Sequence, residues 1–87
     1  MERCRLVTNN TDRLMLLFIE PEGWDCWLRP GEAAELRAAA ESLADDFMLT
    51  DNVDGITAWP SRGMSLISVW QDGRQVECGH QRPVGWA

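Results

Sequence analysis

The sequence predicts an all-β chain, a small antiparallel β-sandwich of about six to eight short strands. Three observations lead there. Turn signals rich in Gly, Pro, Asn and Asp recur about every eight to twelve residues, the rhythm of a sandwich or barrel. The segments between them alternate apolar and polar residues, as strands half-buried on one face do. One segment ends in Asp72-Gly73, a dipeptide favoured for a two-residue hairpin because both positions tolerate positive φ.

An opening strand is expected at about Arg3 to Thr8, closed by Asn9-Asn10-Thr11-Asp12. The next, Leu14 to Glu20, contains Leu14 to Ile19 with no alternation at all. Such a run suits a central strand covered on both faces, or one whose outer face meets a partner. Pro21-Glu22-Gly23 turns the chain into Trp24–Arg29. There Trp24, Cys26 and Leu28 share one side and Asp25, Trp27 and Arg29 the other. Asp51 to Gly55 reads as a turn before a strand at Ile56 to Trp59, and Pro60 to Gly63 as a further loop. In the last hairpin Gln71 faces Arg74, Trp70 faces Gln75, Val69 faces Val76, Ser68 faces Glu77 and Ile67 faces Cys78. Trp70 then shares a face with Ser68, Gln75 and Glu77, opposite Val69 and Val76. The domain is expected over residues 1–80, with 81–87 as a C-terminal tail carrying Trp86.

One segment points two ways. Glu32 to Phe47 is Ala-rich, with Leu36, Ala40, Leu43 and Phe47 at helical spacing, so propensity favours a helix at about 32–46 and an α+β fold as the alternative. Yet Ala34, Leu36 and Ala38 alternate with Glu35 and Arg37, as in a strand leaving the Pro30-Gly31 turn. The stretch Phe18 to Glu32, with its Glu-Pro-x-Gly and Leu-x-Pro-Gly-Glu elements, resembles small uncharacterised bacterial all-β proteins. Asp54-Gly55-Ile56-Thr57-Ala58-Trp59 is similar to a second element of the same group. The resemblance implies a strand at Ala33–Ala40 and no activity, ligand or catalytic residue.

Eighty-seven residues suffice for one domain, burying about 60–65% of the surface of the unfolded chain. The longest apolar run falls far short of the roughly 20 residues that cross a bilayer, so no membrane partner is expected. The N-terminal residues lack an apolar signal region, and a cytoplasmic protein is expected. Fourteen acids against eight arginines give a net charge of −6. A nucleic-acid backbone is a poor partner for such a chain, whereas a basic protein could be steered toward it. Cys4, Cys26 and Cys78 are an odd set at wide spacing, read as buried reduced thiols.

No chemistry-bearing motif stands out. Cys78 and His80 with Cys4 and Cys26 are chemically suited to zinc but lack the close ligand pairs of structural sites. Asp45-Asp46 and Asp51 to Gly55 cluster oxygen ligands without calcium-loop spacing. His80 two residues from Cys78 does not make an attack geometry. Neither cofactor nor catalysis is expected. The expected role is a non-catalytic protein-interaction domain, accessory, immunity-like or inhibitor-like. It would present one Trp-containing, acidic-rimmed sheet face to a protein partner or to a second copy of itself. Trp27 and Trp70 are the expected anchors, because Trp is enriched at interface hot spots. Asp25 and Glu77 are the expected rim, and Trp86 an additional contact. The alternative is a carbohydrate-binding sandwich using Trp platforms.

Overall fold

The structure, a computed structural model, describes residues 1–76. The described residues form eight strands and no helix: β1 (Glu2–Thr8), β2 (Met15–Ile19), β3 (Trp24–Leu28), β4 (Ala33–Ala39), β5 (Met48–Asn52), β6 (Gly55–Trp59), β7 (Ser68–Gln71) and β8 (Arg74–Val76). They divide into two four-stranded sheets, ordered β1-β4-β7-β8 and β3-β2-β6-β5. The first is antiparallel throughout, but β2 and β6 of the second run parallel, so the second sheet is mixed rather than antiparallel as expected. The sheets share one core, to which Leu17, Ile19 and Leu28 come from one side and Leu36 and Val69 from the other.

Alternation explains most strands. On β2, Met15, Leu17 and Ile19 are buried in the core while Leu16 and Phe18 face outward, half-buried. The unbroken apolar run therefore marks a central strand, flanked by β3 and β6. On β4, Ala34, Leu36 and Ala38 point inward and Glu35 and Arg37 outward. The helix favoured by composition does not form. β4 is the central partner of both β1 and β7, and a helix there would leave two strands with unpaired backbone groups. After Ala39 the chain bends through Glu41–Ala44, where Asp45 Oδ2 accepts from the Glu41 and Ser42 N–H groups at 3.2 and 3.1 Å. β5 falls where the sequence predicts no strand, its last two residues lying in the turn expected at Asp51 to Gly55. Its Thr50, Asp51 and Asn52 are polar and exposed, which hides a strand held by pairing with β6.

Two local features fix the frame. Asn9 is wholly buried where β1 ends. Its Nδ2 donates to Arg13 O and Leu28 O at 2.8 Å each, and its Oδ1 accepts from Thr11 N–H and Thr11 Oγ1 at 3.0 and 2.6 Å. The parallel β2–β6 ladder needs Gly55 opposite Leu16, since a Cβ there would lie 1.9 Å from Leu16 O. The last hairpin has the expected register of Gln71↔Arg74, Trp70↔Gln75 and Val69↔Val76. Asp72 and Gly73 adopt φ of 51° and 76°. The pairings expected for Glu77 and Cys78, the boundary at residue 80, and His80, Trp86 and the tail lie outside the described residues.

The thiols differ from expectation. Cys4 is free but exposed on an outer face, not buried. Cys26 is buried in the core and disulfide-bonded, not reduced.

Candidate functional site

Outer positions are set by register. Trp27 pairs with Leu16, and Asp25 with Phe18, both residues that turn away from the core. Trp70 pairs with Glu35 of β4, opposite in alternation to buried Val69 and Leu36. Trp27 and Trp70 thus both face outward, but on different sheets and on opposite sides of the sandwich. The single face expected to hold both does not exist. The alternation argument that placed each Trp on an outer face could not say which sheet its strand would join.

The first sheet treats Trp70 as part of a polar cluster. The Arg37 guanidinium lies over its ring, 4.2 Å from the centroid, within cation–π range. Arg37 Nε also donates to Glu35 Oε1, and this bond holds the guanidinium still more firmly in its charged form. Trp70 Nε1 donates to Ser68 Oγ at 2.9 Å. One ring face is occupied by Arg37, so Trp70 is not a bare anchor. Beside this cluster on β1, the exposed Cys4 thiol is pushed above its ordinary pKa, by desolvation first and then by the carboxylates of Glu2 and Glu35. A raised thiol pKa leaves little of the nucleophilic thiolate at neutral pH.

The second sheet is different in kind. Two adjacent outer rows run Trp27–Leu16–Gly55–Asn52 and Asp25–Phe18–Thr57–Thr50. The next outer pair is Trp59 with Met48, 40% and 53% exposed. Leu16, Phe18, Trp27, Trp59 and Met48 therefore make an apolar band across a face that solvent alone would favour as polar. Asp25 does not serve as an exposed rim acid. It is 9% exposed, and its Oδ2 accepts from Trp27 Nε1 at 2.9 Å, fixing the indole. Glu77 and Trp86, the other expected contacts, lie outside the described residues. Trp59, the last residue of the strand expected at Ile56 to Trp59, is an outer residue. The signal was available: Ile56 and Ala58 take the inner positions, so Thr57 and Trp59 must take the outer ones.

At the end of this sheet nearest the β5–β6 hairpin lies an open cavity of about 460 Å³, lined by Asn10, Arg13, Leu16, Asn52 and Asp54 among others. The Asp-rich segments have local partners there and elsewhere. Asn52 Oδ1 accepts from Asp54 N–H at 2.9 Å, and Asp46 pairs with Arg3 and Arg5 at 3.4 and 3.6 Å. Among the described residues no group of three or more His, Cys, Asp or Glu is placed to hold a metal ion. No helix among them is long and apolar enough to cross a membrane.

Against protein-family models, curated proteins and solved structures alike, the chain finds no match.

Proposed function

We propose that this chain is a non-catalytic protein-interaction domain whose contact surface is the outer face of the β3-β2-β6-β5 sheet. The observation that carries the reading is the apolar outer band. Leu16 and Phe18 sit on a central strand with Trp59 and Met48 beside them, in positions that contribute nothing to the core between the sheets. Large apolar side chains at outward positions are stabilised when a partner removes them from water, at roughly 25 cal/mol per Å² of apolar surface. Trp27 flanks the band with its indole oriented by Asp25, and a pre-oriented aromatic loses less rotamer entropy on binding. Trp70 belongs to the opposite face and is assigned no part in this contact.

The test is affinity capture from the cells that make the protein, using wild type and two double variants. Trp59→Ser/Met48→Ser alters the proposed surface at exposed positions; Trp70→Ala/Arg37→Ala alters the opposite one. The expected result is loss of a specific partner with the first pair and its retention with the second. Identical partners for all three proteins would sink the proposal.

A further inference from the structure

Charge is divided unevenly between the two sheets. β2, β3, β5 and β6, with the β2–β3 and β5–β6 hairpins, carry Glu20, Glu22, Asp25, Asp51 and Asp54 and no arginine, a formal −5. The strands of the other sheet, with the β7–β8 turn, carry Arg3, Arg5, Arg37 and Arg74 against Glu2, Glu35 and Asp72, a formal +1. Most of the net charge of −6 therefore belongs to the half of the molecule that bears the apolar band.

The acids bracket the band. Asp51 and Asp54 stand at the β5–β6 hairpin, where Arg13 and Arg29 lie just beyond the strand ends. Glu20 and Glu22 stand at the other end. Glu20 N–H donates to Ala58 O at 2.9 Å, which sets the Glu20 residue beside Trp59. Glu22 Oε1 is shielded from solvent with no hydrogen-bond partner. Two copies meeting through this face would bring two surfaces bearing Glu20 and Glu22 together, which like-charge repulsion opposes.

Resting on the reading above, we infer that the partner is a different, basic protein. It presents an apolar side chain to Phe18 and Trp59 and lysine or arginine to Glu20 and Glu22. The acids orient it and speed its approach; burial of the band holds it.

The test uses the full-length ¹⁵N-labelled chain and two synthetic peptides of equal length, one alternating Leu with Arg and the other Leu with Glu. The Arg peptide is expected to shift the amides of Phe18, Glu20, Thr57 and Trp59, more weakly as salt rises. Glu20→Gln/Glu22→Gln is expected to weaken its binding about fivefold. Glu2→Gln/Asp72→Asn, on the other sheet, should change it less than about twofold. An equal response to the Glu peptide at the same amides would overturn the basic partner and leave the docking face standing. So would dimerisation of the free chain through those amides. Shifts confined to the β1-β4-β7-β8 sheet, equal losses from both acid pairs, or no response at this face would also overturn the inference. The reading of the face itself falls only if the Trp59/Met48 variant also captures the same partners as wild type.

Discussion

Asn9 shows how much a single buried polar side chain can organise. Both Nδ2 hydrogens and both Oδ1 lone pairs are used, and they join the end of β1, the β1–β2 loop and the end of β3. Its backbone adds bonds to Glu32 and Gly31 at 2.8 and 2.9 Å. Replacement by Ala strands the Leu28 carbonyl and leaves Arg13 O with only the Thr11 hydroxyl, a loss expected to cost about 2–3 kcal/mol. For a chain of this length that lowers Tm by roughly 10–20 °C. Asn9→Asp should do no better, because a carboxylate cannot donate to two carbonyls. Thermal denaturation followed by circular dichroism checks both variants; an Asp variant as stable as wild type would refute this account. In the sequence Asn9 opens an ordinary turn signal, and nothing there marks it as buried. Its partners Leu28 and Glu32 are brought to it only by the fold.

Edges of sheets invite pairing with other chains, and here two of the four edge strands, β1 and β5, carry charge at inward positions. β1 places Arg3 and Arg5 on the core side, in line with buried Val7 and next to Ala38 and Leu36. β5 places Asp51 in line with Leu49, which packs on the core. A second chain added to either of these two edges would have to accommodate these charges. Arg3→Val/Arg5→Val removes the block on β1. We expect this variant to keep its circular dichroism spectrum and to self-associate with rising concentration in sedimentation velocity. A variant as monodisperse as wild type at every concentration would remove edge protection as the role of these arginines. The elements with clean alternation were legible in the sequence, including the Asp72-Gly73 hairpin and its register. β5 was not, because an exposed edge strand with one core residue has almost no apolar signature. β4 was legible against its propensity only through the alternation of Ala34, Leu36 and Ala38 with Glu35 and Arg37 and through the resemblance to other all-β chains.

For the whole molecule, the shared core predicts that the two sheets unfold together. Leu17 and Leu36 are each 0% exposed, in opposite sheets. Truncating either to Ala is expected to cost about 2–5 kcal/mol. Each should lower one transition, seen alike by Trp fluorescence and by circular dichroism. Separate transitions for the two variants would mean that the sheets are independent units. The same layering separates the two outer faces functionally. One carries Arg37 stacked on Trp70 with Glu35 beside it; the other carries an apolar band bracketed by acids.

The sequence by itself determined the fold class, most strand positions and the outward aspect of Trp27 and Trp70. Those depend on local periodicity and turn chemistry, which each segment carries within itself. Only the tertiary structure decided that β2 and β6 run parallel, that Trp27 and Trp70 lie on opposite faces, and that Trp59 joins Leu16 and Phe18. Alternation fixes which side of a strand a residue occupies, but membership of a sheet depends on pairing between distant segments. That pairing turns a count of tryptophans and acids into one apolar, acid-flanked face.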